Sequence, residues 1–87
     1  MVKYMKKINL EDIKKILLFT FPKAQINDSI TQLKLGDLEE WDSQGNLNFL
    51  LSVEEFYGIR FTMEEMSVIK SIEQILIALE RFKIEGS

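Results

Sequence analysis

Apolar residues along the chain fall into helical patches separated by polar, turn-forming stretches. Leu10, Ile13 and Leu17 recur at three- and four-residue spacing with Ile16 beside them, the repeat that gathers side chains on one face of a helix. Asn9 precedes this run as an N-cap with Asp12 at the third position. Pro22 lacks an amide N–H, and its ring disfavours the α conformation at Phe21, so the first helix is predicted to end near Thr20. From Lys23 to Trp41 no helical period is sustained. Ile26, Ile30, Leu33, Leu35 and Leu38 stand as isolated anchors in a stretch that predicts a long, pinned loop with one short turn near Ser29. Connections longer than about 15 residues are uncommon in small domains and tend to be functional.

The second helix is predicted to start at Asp42 or Ser43. Leu47, Leu50, Leu51 and the pair Phe56/Tyr57 form its apolar stripe, and Gly58 closes it. With Val53 this is more apolar surface than one buried face requires, so part should line the core and part should face outward. The first turn, Ser43-Gln44-Gly45-Asn46, is weak in helix propensity. A glycine there costs roughly 1 kcal/mol relative to alanine, so the turn answers to something besides helix stability. Ile59-Arg60-Phe61 is a short link. Thr62-Met63-Glu64-Glu65 and Ser71-Ile72-Glu73-Gln74 are two capping boxes. The first opens a brief third helix; the second opens a fourth whose Ile72, Ile75, Leu76 and Leu79 face inward, with Phe82 following and Gly86 ending the pattern. The expected fold class is all-α: four helices around a single core, in one domain spanning residues 1–87.

Composition narrows the chemistry. The 87 residues include no cysteine and no histidine, which excludes disulfides, the usual zinc sets, thiolate nucleophiles and imidazole-based triads. The net charge is −3, but Asp37 to Glu65 holds eight acidic residues against Arg60 alone. That stretch suits a basic partner and disfavours nucleic acid. Lys3, Lys6, Lys7, Lys14 and Lys15 crowd the front but are interrupted by Glu11 and Asp12, and read as a solvated face. The apolar run Ile16–Phe19 is too short for a signal sequence or a membrane span, so a cytoplasmic location is expected and the Asn27-Asp28-Ser29 sequon is idle.

Few constellations could carry a reaction. Ser67-Val68-Ile69-Lys70 fits a serine-lysine pattern, but that chemistry needs a much larger scaffold. A calcium loop starting at Asp42 would need glycine at position 6 and a carboxylate at position 12, and neither is present. Ser43 remains, at a helix start and surrounded by acid. By local spacing its plainest meaning is an N-cap. As a nucleophile it has no base beside it, so an enzyme is not expected. As an acceptor of a phosphate-bearing group it is well placed, because helix N-termini tolerate negative charge.

The run from Leu38 through Trp41-Asp42-Ser43-Gln44-Gly45-Asn46 and Glu54-Glu55 to Gly58-Ile59-Arg60-Phe61 resembles the second helix of acyl carrier proteins, in the stand-alone variety with Trp before Asp-Ser. Thr62 to Leu79 continues the likeness, which covers residues 8 to 82 and is only architectural before Trp41. The resemblance implies a four-helix bundle of the acyl-carrier type with a long first loop and a short third helix. It implies that Ser43, flanked by the motif residue Asp42, receives 4′-phosphopantetheine from coenzyme A, and that the arm's thiol carries acyl groups as thioesters. It further implies a monomer whose Gln44, Leu47, Leu51, Glu54, Glu55, Glu64 and Glu65 meet partners: a phosphopantetheinyl transferase, and acyl-loading ligase, synthase or transferase enzymes with basic docking patches. In that family the interior can admit an acyl chain between helices. Two departures stand out: Gln44 replaces the usual Leu, and Gly45 and Asn48 occupy places where acids are frequent. These departures point to a specialised biosynthetic carrier. The competing readings are an aminoacyl or peptidyl carrier, and a helical adaptor that keeps the fold without the arm and uses Ser43 only as a cap.

Overall fold

Local sequence signals set most of the helix boundaries. A computed structural model describes residues 7–26 and 29–85, which form four helices and no strand: α1 (Leu10–Thr20), α2 (Ser43–Tyr57), α3 (Met63–Val68) and α4 (Ile72–Glu85). The fold class is therefore all-α. Lys3, Lys6, the Asn27-Asp28 part of the sequon and Gly86 lie outside the described residues. Asn9 is extended and its side chain accepts the Asp12 N–H at 2.8 Å, capping α1 as its spacing predicts. At the other end the Phe21 N–H still reaches the Leu17 carbonyl at 2.8 Å, and Pro22 ends the ladder. Gly58 takes the left-handed conformation, φ 68°, and closes α2.

The two capping boxes differ. Around α3 both halves form: the Thr62 hydroxyl accepts the Glu65 N–H at 3.0 Å, and the Glu65 carboxylate accepts the Thr62 N–H at 2.8 Å. At α4 the Ser71 hydroxyl accepts the Gln74 N–H at 3.1 Å, but the Gln74 side chain accepts from the Lys70 N–H, one residue earlier than a box requires. The reason is tertiary. An antiparallel bridge pairs Lys34 with Ser71, in which the Leu35 N–H donates to the Lys70 carbonyl at 2.8 Å and the Ile72 N–H to the Leu33 carbonyl at 3.0 Å. The long loop after α1 thus supplies an acceptor to the first turn of α4. Where one short turn near Ser29 is expected, the loop makes three, Ile30–Leu33, Lys34–Asp37 and Leu38–Trp41, each closed by a 3.0 Å hydrogen bond.

The core gathers Ile13, Ile16 and Leu17 of α1, Phe49, Leu50, Val53 and Tyr57 of α2, and Ile72, Ile75 and Leu79 of α4. The loop adds Phe21, Ile30 and Trp41. Two expected stripes are corrected. Leu10 is 42% exposed, whereas Ile13, Ile16 and Leu17 of the same helix are buried. On α2 the buried face runs through Asn46, Phe49, Leu50, Val53 and Tyr57, while Leu47 and Leu51 are nearly half exposed. Trp41 turns the helix that way: its indole packs between Phe21, with centroids 5.8 Å apart, and Phe49, edge-on at 5.3 Å, so Phe49 must face inward. α1 and α2 run antiparallel, with the Thr20 hydroxyl 3.4 Å from that of Ser52 toward one end and Tyr57 beside Asn9 and Asp12 at the other. No helix among the described residues is long and apolar enough to cross a membrane.

Candidate functional site

The start of α2 is built from the outside in. Trp41 is fully buried, and its backbone is tied into the loop: its N–H donates to the Leu38 carbonyl at 3.0 Å and its carbonyl accepts the Gly36 N–H at 2.9 Å. Asp42, in extended conformation, is the N-cap: its carboxylate accepts the Gly45 N–H at 2.8 Å and its carbonyl begins the helical ladder with the Asn46 N–H at 2.8 Å. Ser43 is therefore the first helical residue and not the cap, which corrects the simplest reading of its position. The Asp42 side chain reaches the third-position N–H, so the Ser43 hydroxyl has no capping duty. It is exposed and forms no hydrogen bond with the described residues.

Gly45 is buried, and packing explains it. A Cβ there would collide with the Glu40 carbonyl oxygen and sit 3.0 Å from the Phe21 ring. The helix start is pressed against the end of the loop, and only glycine permits the approach. The absence of an acid at position 45 is thus a packing requirement and removes nothing from the surface. Asn48, by contrast, is exposed.

Asn46 was not singled out by its sequence context, although a polar residue three and four positions before Phe49 and Leu50 lies on the buried face. It is 5% exposed. Its Oδ1 accepts the Trp41 indole N–H at 2.9 Å and its Nδ2 donates to the Ile69 carbonyl at 2.8 Å. Trp41, Asp42, Gly45 and Asn46 are thus each fixed by contacts within the chain, while Ser43 and Gln44 are exposed.

The expected partner residues divide into two groups. Gln44, Leu47, Leu51 and Glu55 are exposed at helical spacing along α2. Glu64 is exposed on α3. Glu54 and Glu65 are partly exposed, and each has a partner within the chain. The Glu54 carboxylate accepts the Phe61 N–H at 2.6 Å and so holds the link between α2 and α3. Glu65 completes the capping box and pairs with Arg81 of α4. Leu51, Glu54 and Glu55 line an open groove with Gly58, Ile59 and Arg60. The single basic residue of the acidic stretch thus lines the same groove as two acids of α2. A second, more apolar groove lies between α1 and α2, where Ile16, Phe19 and Phe56 meet Lys15, Ser52 and Glu55. Phe19 is 81% exposed there. No cluster of three or more acidic side chains among the described residues is placed to hold a metal ion.

Burial pushes the Tyr57 hydroxyl above its ordinary range. The Asp12 charge adds to the effect and the Asn9 backbone opposes it. That hydroxyl lies beyond the far end of the site and has no well-formed hydrogen-bond partner. No family model matches this chain, and neither a curated protein nor a solved structure matches it.

Proposed function

We propose that this chain is a carrier protein, with Ser43 as the attachment point for a 4′-phosphopantetheine arm and with the exposed strip of α2 as the face that partner enzymes read. The observation that carries this reading is the contrast at one helix turn: Ser43 offers an unencumbered hydroxyl, while Trp41, Asp42, Gly45 and Asn46 are each held by the fold. A group destined for transfer to several enzymes is best mounted on a rigid base with a free acceptor oxygen. The residues present fit the arm. The first N–H groups of α2 have no intrahelical acceptors, and the helix dipole favours the negative phosphodiester that Ser43 would bear. When bound, the arm supplies a terminal thiol for carrying acyl groups as thioesters, in a chain with no cysteine of its own.

The chain's own part is presentation. Asp42 fixes the turn; Ser43 gives up its proton to the modifying enzyme as its oxygen bonds to the pantetheine-bearing phosphorus of coenzyme A and adenosine 3′,5′-bisphosphate leaves; and Gln44, Leu47, Leu51 and Glu55 offer an apolar centre with acid beside it. Such a face suits a basic enzyme, with charge setting orientation and the leucines setting the lifetime of the complex. Incubation with coenzyme A and a promiscuous phosphopantetheinyl transferase is expected to add one phosphopantetheine, read as intact mass, and Ser43→Ala is expected to abolish it. Transfer to Ser52, Ser67 or Ser71 instead, or none under conditions that load a control carrier, would overturn the reading.

A further inference from the structure

The structure assigns to Asn46 the role of a positioning residue that couples the turn bearing Ser43 to α3. Asn46 is buried, and both ends of its amide are used. One end holds the indole of Trp41, two residues before Ser43. The other holds the carbonyl of Ile69, the residue that caps the C-terminus of α3. α3 itself contributes no buried residue. It is fastened at its ends, by Phe61 packed on Phe82 with ring centroids 5.8 Å apart and by Ile69, and between them by Met66, partly buried against the core, and by the pairing of Glu65 with Arg81.

A short helix without buried side chains of its own opens locally at low cost, so its order depends on such fastenings. Apolar packing at Ile69 tolerates sliding. A hydrogen bond from a rigid amide does not, because it specifies a direction and a distance. Asn46 therefore sets where α3, with exposed Glu64, stands relative to Ser43. An enzyme that modifies Ser43 while touching α3 needs the two at a fixed separation, and this residue supplies it.

Two variants of the whole chain test the coupling. Asn46→Leu keeps the bulk and removes both hydrogen bonds. Asn46→Asp keeps the acceptor, and its carboxyl, with Asp42 one turn before it and Lys70 next to Ile69, can donate to the Ile69 carbonyl only when protonated. In Asn46→Leu the Met66 and Ile69 amides are expected to exchange hydrogen about tenfold faster, while the Leu17 and Phe21 amides of α1 change far less. Asn46→Asp is expected to match the parent near pH ~5 and the leucine variant near pH ~8. Equal acceleration in α1 and α3, no acceleration, or a pH-independent Asn46→Asp would each overturn the proposal. A second readout rests on the carrier reading: transfer of phosphopantetheine to Asn46→Leu should show a raised KM with kcat little changed. If the parent chain accepts no arm, the carrier reading falls and the exchange result still decides the coupling.

Discussion

The first turn of α2 and the whole of α3 both show polar residues to solvent, yet they are held in opposite ways. The α2 turn is supported from beneath, with Trp41, Gly45 and Asn46 buried under Ser43 and Gln44. None of the α3 residues Met63–Val68 is fully buried, and only Glu65, beside Arg81, and Met66, against the core, are partly covered. The difference separates two ways of holding an exposed helix turn. The turn that bears Ser43 is backed by a close-packed aromatic cluster, whose geometry resists displacement. A helix that only displays charge can be held by caps, an ion pair and a few end contacts.

Substitutions at graded depth test this contrast. Trp41→Ala removes the largest side chain of the cluster and should cost about 3–5 kcal/mol in urea unfolding. That is a large share of the ~5–15 kcal/mol a domain usually has. A loss under 1 kcal/mol would mean that the turn does not rest on the cluster. Gly45→Ala sets two effects against each other: helix propensity alone predicts a gain of about 1 kcal/mol, whereas forcing a methyl against backbone costs about 1–3 kcal/mol. The obstructing atom is the Glu40 carbonyl oxygen, which cannot rotate away as a flexible side chain would. A lower melting temperature is therefore expected, and a raised one would show that the loop end yields.

Thr62→Ala removes the cap of α3 and should cost about 0.5–1 kcal/mol, with faster amide exchange confined to α3. Spread of that effect into α2 would erase the distinction between the two regions. The smallest effect concerns the far end of α2. The raised pKa of Tyr57 means that the unfolded chain loses this proton first as pH rises past the ordinary value of 10.0. Its contribution to stability is thus intact below that value and lost as pH climbs through the folded pKa. Tyr57→Phe should be near neutral at pH ~7, since no well-formed hydrogen bond is removed. It should also flatten the alkaline decline, measured as the difference between the two unfolding curves from about pH 9 to 11.

Much of this architecture was legible one residue at a time. Asn9, Thr62 and Gly58 mark helix ends because a cap or a left-handed residue acts within three or four positions, and that information is local. The candidate site was legible in part for the same reason: an exposed serine after aspartate at a helix start can be read from spacing. The intrachain engagement of Glu54 and Glu65 was not legible, because their partners, the Phe61 N–H and Arg81, lie 7 and 16 residues away. Charge counted along the chain says nothing of where such groups meet.

By itself the sequence determined the helical class, four segments, their caps and the absence of thiol and imidazole chemistry. The rotation of α2 was decided only by the tertiary structure. A helix with apolar residues at 47, 49, 50, 51, 53, 56 and 57 has more than one face that could go inward, and the indole of Trp41, packed on Phe21 and Phe49 and bonded to Asn46, selects one. That choice leaves Leu47 and Leu51 at the surface and puts Gly45 beneath the Glu40 carbonyl. The Asp42 cap three residues before Gly45 is local and leaves the Ser43 hydroxyl free, but the buried support beneath that turn comes from contacts across the fold.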